Sequence, residues 1–164
     1  MQMTRYPDGV DPIAFHALSP SDQQLLGAAK QALELAYNPY SHFFVGAAVL
    51  TEGGQVITGS NVENAAYGPS ICAERSALIR ANAEGLGSTC VAVAVVARNG
   101  DSPTGTITAP CGVCRQVIYE FSNRSAVDEE FKIILATTNF GEVVVTNIGK
   151  LLPLPFGPKD LADS

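Results

Sequence analysis

"CVAVAVVA", residues 90–97, is an unbroken apolar run of Ala and Val behind one cysteine. A strand that is apolar on both of its alternating faces needs cover on both, so this stretch is expected to be the central strand of a sheet with a layer packed on each side. Working outward, "CAERSALIRANAEG" (72–85) and "CGVCRQVIYEF" (111–121) flank it as short helical candidates. Before them, "FFVGAAVL" (43–50) and "QVITGS" (55–60) are β-rich runs joined by "TEGG", where Gly53 and Gly54 supply positive-φ positions for a hairpin. After them come "FKIILATT" (131–138) and "EVVVTN" (142–147), with a turn at 139–141.

Near the start, Ser19 can cap a helix that has Pro20 at its first position. Leu25, Leu26, Ala29, Ala32, Leu33 and Ala36 recur on one face of it, and Asn38-Pro39 should end it. The order α-β-β-α-β-α-β-β predicts an α/β fold, a mixed five-stranded sheet sandwiched by helices. Residues 1–18 show no periodicity and are expected to form an irregular N-terminal leader, with 19–164 as one domain. The chain's 164 residues suit one core better than two.

Sixteen acidic against ten basic residues give a net charge of −6, and the isoelectric point is near 4.8. Such a surface offers no cationic field to a nucleic acid backbone, which excludes phosphate-driven nucleic acid binding as the function. No apolar run reaches the roughly 18–20 residues that span a bilayer, and the N-terminus lacks a basic start followed by an apolar core. A soluble, unexported, cytoplasmic protein is expected, in which the four cysteines act as thiols, ligands or catalytic groups.

Three of those cysteines stand at helix starts. Cys111 and Cys114, three apart, share one side of a first turn and can grip one ion. Cys72 and Glu74 are two apart and would diverge along a helix flank, but at a helix end both can reach an ion near the axis. Three thiolates around Zn²⁺ leave a net charge of −1. Two helix N-termini would offset that charge, and so would Arg75, which lies on the face of Cys72. Three protein ligands also leave the fourth position of a catalytic zinc open. Taken alone, "CGVC" also suits a thiol redox pair, and a structural four-cysteine zinc would result if Cys90 joined, although Cys90 opens an apolar run and suits a small buried hydrophobe.

"C-A-E" at 72–74 with "P-C-G-V-C-R-Q" at 110–116 resembles the zinc nucleoside deaminase signature in its three-cysteine version. "PYSHFFVGAAVL", "GSNVENAAYG", "ICAERSALIRA" and "LLPLPFGPKDL" resemble, in order, blocks of the small homotetrameric cytidine deaminases. The resemblance implies one Zn²⁺ per chain on Cys72, Cys111 and Cys114, with Glu74 as proton carrier and Arg75 offsetting thiolate charge. It implies that a nucleoside, cytidine or deoxycytidine, lies against Phe43, Asn61, Glu63 and Ala73. Phe156 would reach it from a neighbouring subunit, and Tyr40 and Tyr67 would stand at subunit contacts near the site. A homotetramer with shared active sites is therefore expected. Asn61 and Glu63, two apart in an extended segment, can face one sugar. Ala109, where Ser is expected, and Pro155, in place of a small residue, depart from the pattern. The 97–108 loop matches no block of it. A relative acting on another aminopyrimidine nucleoside, such as a blasticidin-type antibiotic, is the rival within the enzyme class.

Overall fold

The computed structural model describes residues 6, 7, 10 and 12–162. The elements are α1 (Pro20–Leu33), β1 (Phe43–Thr51), β2 (Val56–Ser60), α2 (Ala73–Ala83), β3 (Cys90–Asn99), the two-residue β4 (Ser102–Pro103), α3 (Gly112–Arg124), β5 (Lys132–Thr137), β6 (Val143–Asn147) and the single-turn α4 (Ile148–Leu151). The five expected strands lie in the order β2-β1-β3-β5-β6, with β4 attached to β3. β3 runs parallel to β5 and every other pairing is antiparallel, so the sheet is mixed.

β3 is central and covered on both faces, because its side chains alternate between two cores. Ala92, Ala94 and Val96 pack with Leu25, Leu26, Ala29 and Leu33 of α1. Val93 and Val95 pack with Ala77 and Leu78 of α2 and Ile118 and Phe121 of α3. Burying an aliphatic side chain of this size contributes about 1.5–3 kcal/mol, so these two layers hold the helices to the sheet.

Two glycines bring helix backbone down onto the strands. A Cβ on Gly46 would lie 2.0 Å from Ala29 O of α1, and one on Gly59 would lie 2.4 Å from Ala77 N and 2.7 Å from Ala73 O of α2. Backbone cannot yield as a side-chain tip can, so only glycine permits these approaches. Gly59 thereby fixes the first turn of α2.

Ser19 caps α1 as expected, its Oγ accepting from Asp22 N at 3.1 Å. The helix nevertheless ends at Leu33 and not near Asn38. Its end tightens through Leu35 N to Ala32 O and Ala36 N to Leu33 O bonds, after which Tyr37 N donates to Asn61 O at 3.0 Å and Glu63 N donates to Tyr37 O at 2.7 Å. Pairing with residues 61–63 wins over another turn of helix.

Of the expected leader, residues 1–5, 8, 9 and 11 lie outside the described residues. In its described part, Pro12 bridges Val144 of β6 and Ile13 N donates to Val143 O at 2.9 Å. Among the described residues, no helix is long and apolar enough to cross a membrane.

Candidate active site

Cys72 is the N-cap of α2 and Cys111 that of α3, and neither side chain makes a capping hydrogen bond. Both sulfurs are thus free to point beyond the helix ends. Cys114, in the first turn of α3, is fully buried. The three Sγ atoms lie within 4.8 Å of one another, and Cys72 Sγ is 3.9 Å from Cys111 Sγ. A tetrahedral zinc with Zn–S bonds of about 2.3 Å sets its sulfurs about 3.8 Å apart, so the triad fits that ion. Cys90 does not join it: it is fully buried, and its Sγ donates to Leu86 O at 3.4 Å. That removes the four-cysteine alternative. The cysteines among the described residues are unbridged.

The electrostatics favour thiolate at Cys72. Cys72 is pulled well below the ordinary thiol range, first by a hydrogen bond from the Cys114 thiol and then by Arg75, against the cost of its own burial. Cys114 is pushed up because it holds the shared proton toward Cys72 and is desolvated. Arg75 Nη2 lies 3.5 Å from Cys72 Sγ, and that contact raises the guanidinium above its ordinary value. Both helix N-termini add partial positive charge at the same place. Glu74 is 4% exposed. Burial pushes its carboxyl up to about 7, and the negative Cys72 contributes further.

A cavity of about 470 Å³ opens beside the triad. Its wall joins Cys72, Cys111, Glu74 and Arg75 to Phe43, Asn61 and Glu63. The last two come together because Val62 between them is bridged to Tyr37 on one side and Ile71 on the other, which keeps the segment extended. Asn61 continues the β1–β2 ladder with its side chain: Oδ1 accepts from Val45 N at 2.9 Å and Nδ2 donates to Phe43 O at 2.8 Å. One lone pair and one N–H remain available to a ligand. Glu63 accepts from Tyr40 N at 3.0 Å, from Ser41 N at 3.2 Å and from the Ser41 hydroxyl.

The other expected residues stand apart from the cavity. Ala73 is fully buried, its side chain packed in the core and not in the cavity wall. Phe156 is 61% exposed and lines a separate surface pocket with Gln116 and Gly157. Tyr40 and Tyr67 are exposed and meet edge to face at 6.2 Å. Ser41, Ser70 and Thr108 also line the cavity and were missed from sequence. Ser41 sits inside the quoted block "PYSHFF", but a serine in a turn carries no pattern that separates it from a solvated one. Ala109, the departure from pattern, is part of the wall.

Residues 19–128 match the family model for the cytidine and deoxycytidylate deaminase zinc-binding region. The cytidine deaminase of Sporosarcina psychrophila is 42% identical over 140 residues, 85% of this chain and 94% of that one. The crystal structure of cytidine deaminase from Burkholderia pseudomallei superposes with a TM-score of 0.71 at 46% identity, covering 81% of this chain and 97% of that one. A blasticidin-S deaminase of Bacillus cereus is 28% identical over 141 residues, 85% of this chain and 94% of that one.

Proposed function

This chain belongs to the zinc-binding cytidine and deoxycytidylate deaminase family, and from that premise we propose that it deaminates cytidine and deoxycytidine, a step of pyrimidine salvage. Water replaces the C4 amino group, giving uridine or deoxyuridine and ammonia. The observation that carries this reading is the single cavity in which Cys72, Cys111 and Glu74 face Phe43, Asn61 and Glu63.

Cys72, Cys111 and Cys114 would hold one zinc ion per chain, which would supply the Lewis acidity that makes water nucleophilic near neutral pH. Glu74 takes one proton from the attacking water and delivers it to N3 of the base, then takes the second from the new C4 hydroxyl and delivers it to the departing amino group. It stays off the metal, because a liganded carboxylate could not carry protons. Arg75 offsets the excess thiolate charge. Phe43 stacks on the base, Asn61 has an oxygen to accept from and an N–H to donate to the sugar hydroxyls, and Glu63 accepts from them. Ala73, with its methyl group in the core, has only main-chain groups to offer the base.

The same reading carries a homotetramer. Phe156 is exposed and lines a pocket other than the cavity of its own chain, so it serves a neighbour's base, with Tyr40 and Tyr67 at the contacts. Mixing inactive Glu74→Gln with weak Phe156→Ala subunits should restore activity above the mean of the two, in sites that combine an intact Glu74 with a neighbour's intact Phe156. Mixed assemblies without any gain would return Phe156 to its own chain. The unbridged thiols support a cytoplasmic location.

The test of substrate is ammonia release from cytidine, deoxycytidine, cytosine, adenosine and blasticidin S. Cytidine and deoxycytidine should lead by orders of magnitude. Blasticidin S as the preferred substrate would favour the rival, for which the Bacillus cereus relative at 28% identity is the support.

A further inference from the structure

The carboxylate of Glu63 is gripped from one side by a four-residue turn. Tyr40 N and Ser41 N both donate to Oε2, at 3.0 and 3.2 Å, and the Ser41 hydroxyl donates to Oε1. The same Ser41 Oγ accepts from Phe43 N at 3.1 Å. One hydroxyl therefore links the aromatic wall of the cavity to the carboxylate opposite it. The turn is anchored beyond these groups: His42 stands in the left-handed region at φ 54, its N–H donates to Asn38 O at 3.0 Å, and its carbonyl accepts from Gly100 N at 2.8 Å.

An ionised carboxylate has about four acceptor positions. Three are taken inside the protein, two of them on Oε2, so the position left for a ligand is on Oε1. The Ser41 hydroxyl occupies the other side of that oxygen and sets its direction. The same hydrogen bond is the largest cause of the low Glu63 carboxyl, followed in the lowering direction by the two main-chain donors, with partial desolvation opposing them. Glu63 is thereby kept as an acceptor.

We propose that Ser41 is a positioning residue for the nucleoside sugar, its hydroxyl aiming the one free acceptor of Glu63 at a ring hydroxyl while tying that acceptor to the Phe43 wall. The proposal rests on Glu63 being the partner of the sugar. Ser41 acts through Glu63 and has no part in proton transfer, so its loss should be felt in binding and not in the chemical step.

The test compares wild type, Ser41→Ala and Ser41→Thr in turnover of cytidine and in calorimetric binding of two product probes, uridine and 2′,3′-dideoxyuridine, which lacks both ring hydroxyls. Ser41 is solvent-exposed, and the Ala variant should fold as wild type does. Losing a hydrogen bond to a charged group should raise KM for cytidine roughly tenfold and weaken uridine by a similar factor, with kcat held within about twofold. Dideoxyuridine binding should not change, and Ser41→Thr should restore uridine binding. Equal losses for both probes would show that Ser41 only shapes the turn. No loss for either would show that its hydroxyl does nothing for the sugar. Either result overturns the proposal while leaving deamination standing. A wild-type protein that releases no ammonia from cytidine would overturn the deaminase reading and the proposal with it.

Discussion

On the thiolate side of the cavity, Cys72 caps α2 and Glu74 and Cys114 stand on the first turns of α2 and α3, and those turns are fixed by buried packing against the sheet and by the close approach at Gly59. On the sugar side, Phe43, Asn61 and Glu63 stand at the start of β1 and on an extended connection, held by hydrogen bonds to the backbone of exposed and half-buried residues. The first side is positioned by the core and, on the proposed reading, carries charge chemistry. The second is positioned by a polar network and, on the proposed reading, carries recognition. Substitutions on the first side should therefore abolish turnover with the fold intact, and those on the second should weaken binding with turnover largely kept.

The largest effect belongs to the metal. Cys111 is exposed and lies outside both core clusters, so Cys111→Ser should preserve helix content while zinc per chain and ammonia release both collapse. Retained stoichiometric zinc with full activity would break the assignment of the triad. Next comes Arg75→Gln. Removing the cation at 3.5 Å from Cys72 Sγ leaves the thiolate charge uncompensated. Zinc should stay bound, and kcat should fall about tenfold or more, in line with the loss of a metal's supporting partner. An unchanged kcat would reduce Arg75 to a helix residue that happens to lie near a sulfur. The smallest effect is expected at Glu63→Gln, where KM for cytidine should rise about tenfold or more while kcat changes little. A loss confined to kcat would erase the contrast between the two sides.

How much of this was legible follows the same division. The apolar run at 90–97 has to be covered on both faces, and the structure covers it. The cap at Ser19 and the hairpin between β1 and β2 are local chemistry, and they too were read correctly, although of the two turn glycines only Gly54 takes a positive φ, at 84°. Cys72, Cys111 and Cys114 were found because helix starts leave a pattern in sequence. The bonding of Tyr40 and Ser41 to Glu63 leaves none, since it joins segments far apart in the chain through main-chain N–H groups that every residue has and a serine hydroxyl like that of any turn serine. For the same reason the end of α1 was misplaced: the pairing of Tyr37 with residues 61–63 is a tertiary contact that overrides helical periodicity. β4 in the unmatched 97–108 loop is a two-residue hairpin return along β3, too short to show alternation.

The central claim is that Glu74, buried beside the triad but outside it, moves the protons of the reaction. The direct measurement is ammonia release from cytidine by the Glu74→Gln variant with its zinc content determined on the same sample. Gln keeps the shape of the side chain and removes the proton carrier, so we expect one zinc per chain, wild-type secondary structure and a loss of turnover of at least about 10²- to 10⁴-fold. A variant that keeps its zinc and turns cytidine over at near the wild-type rate would contradict the account.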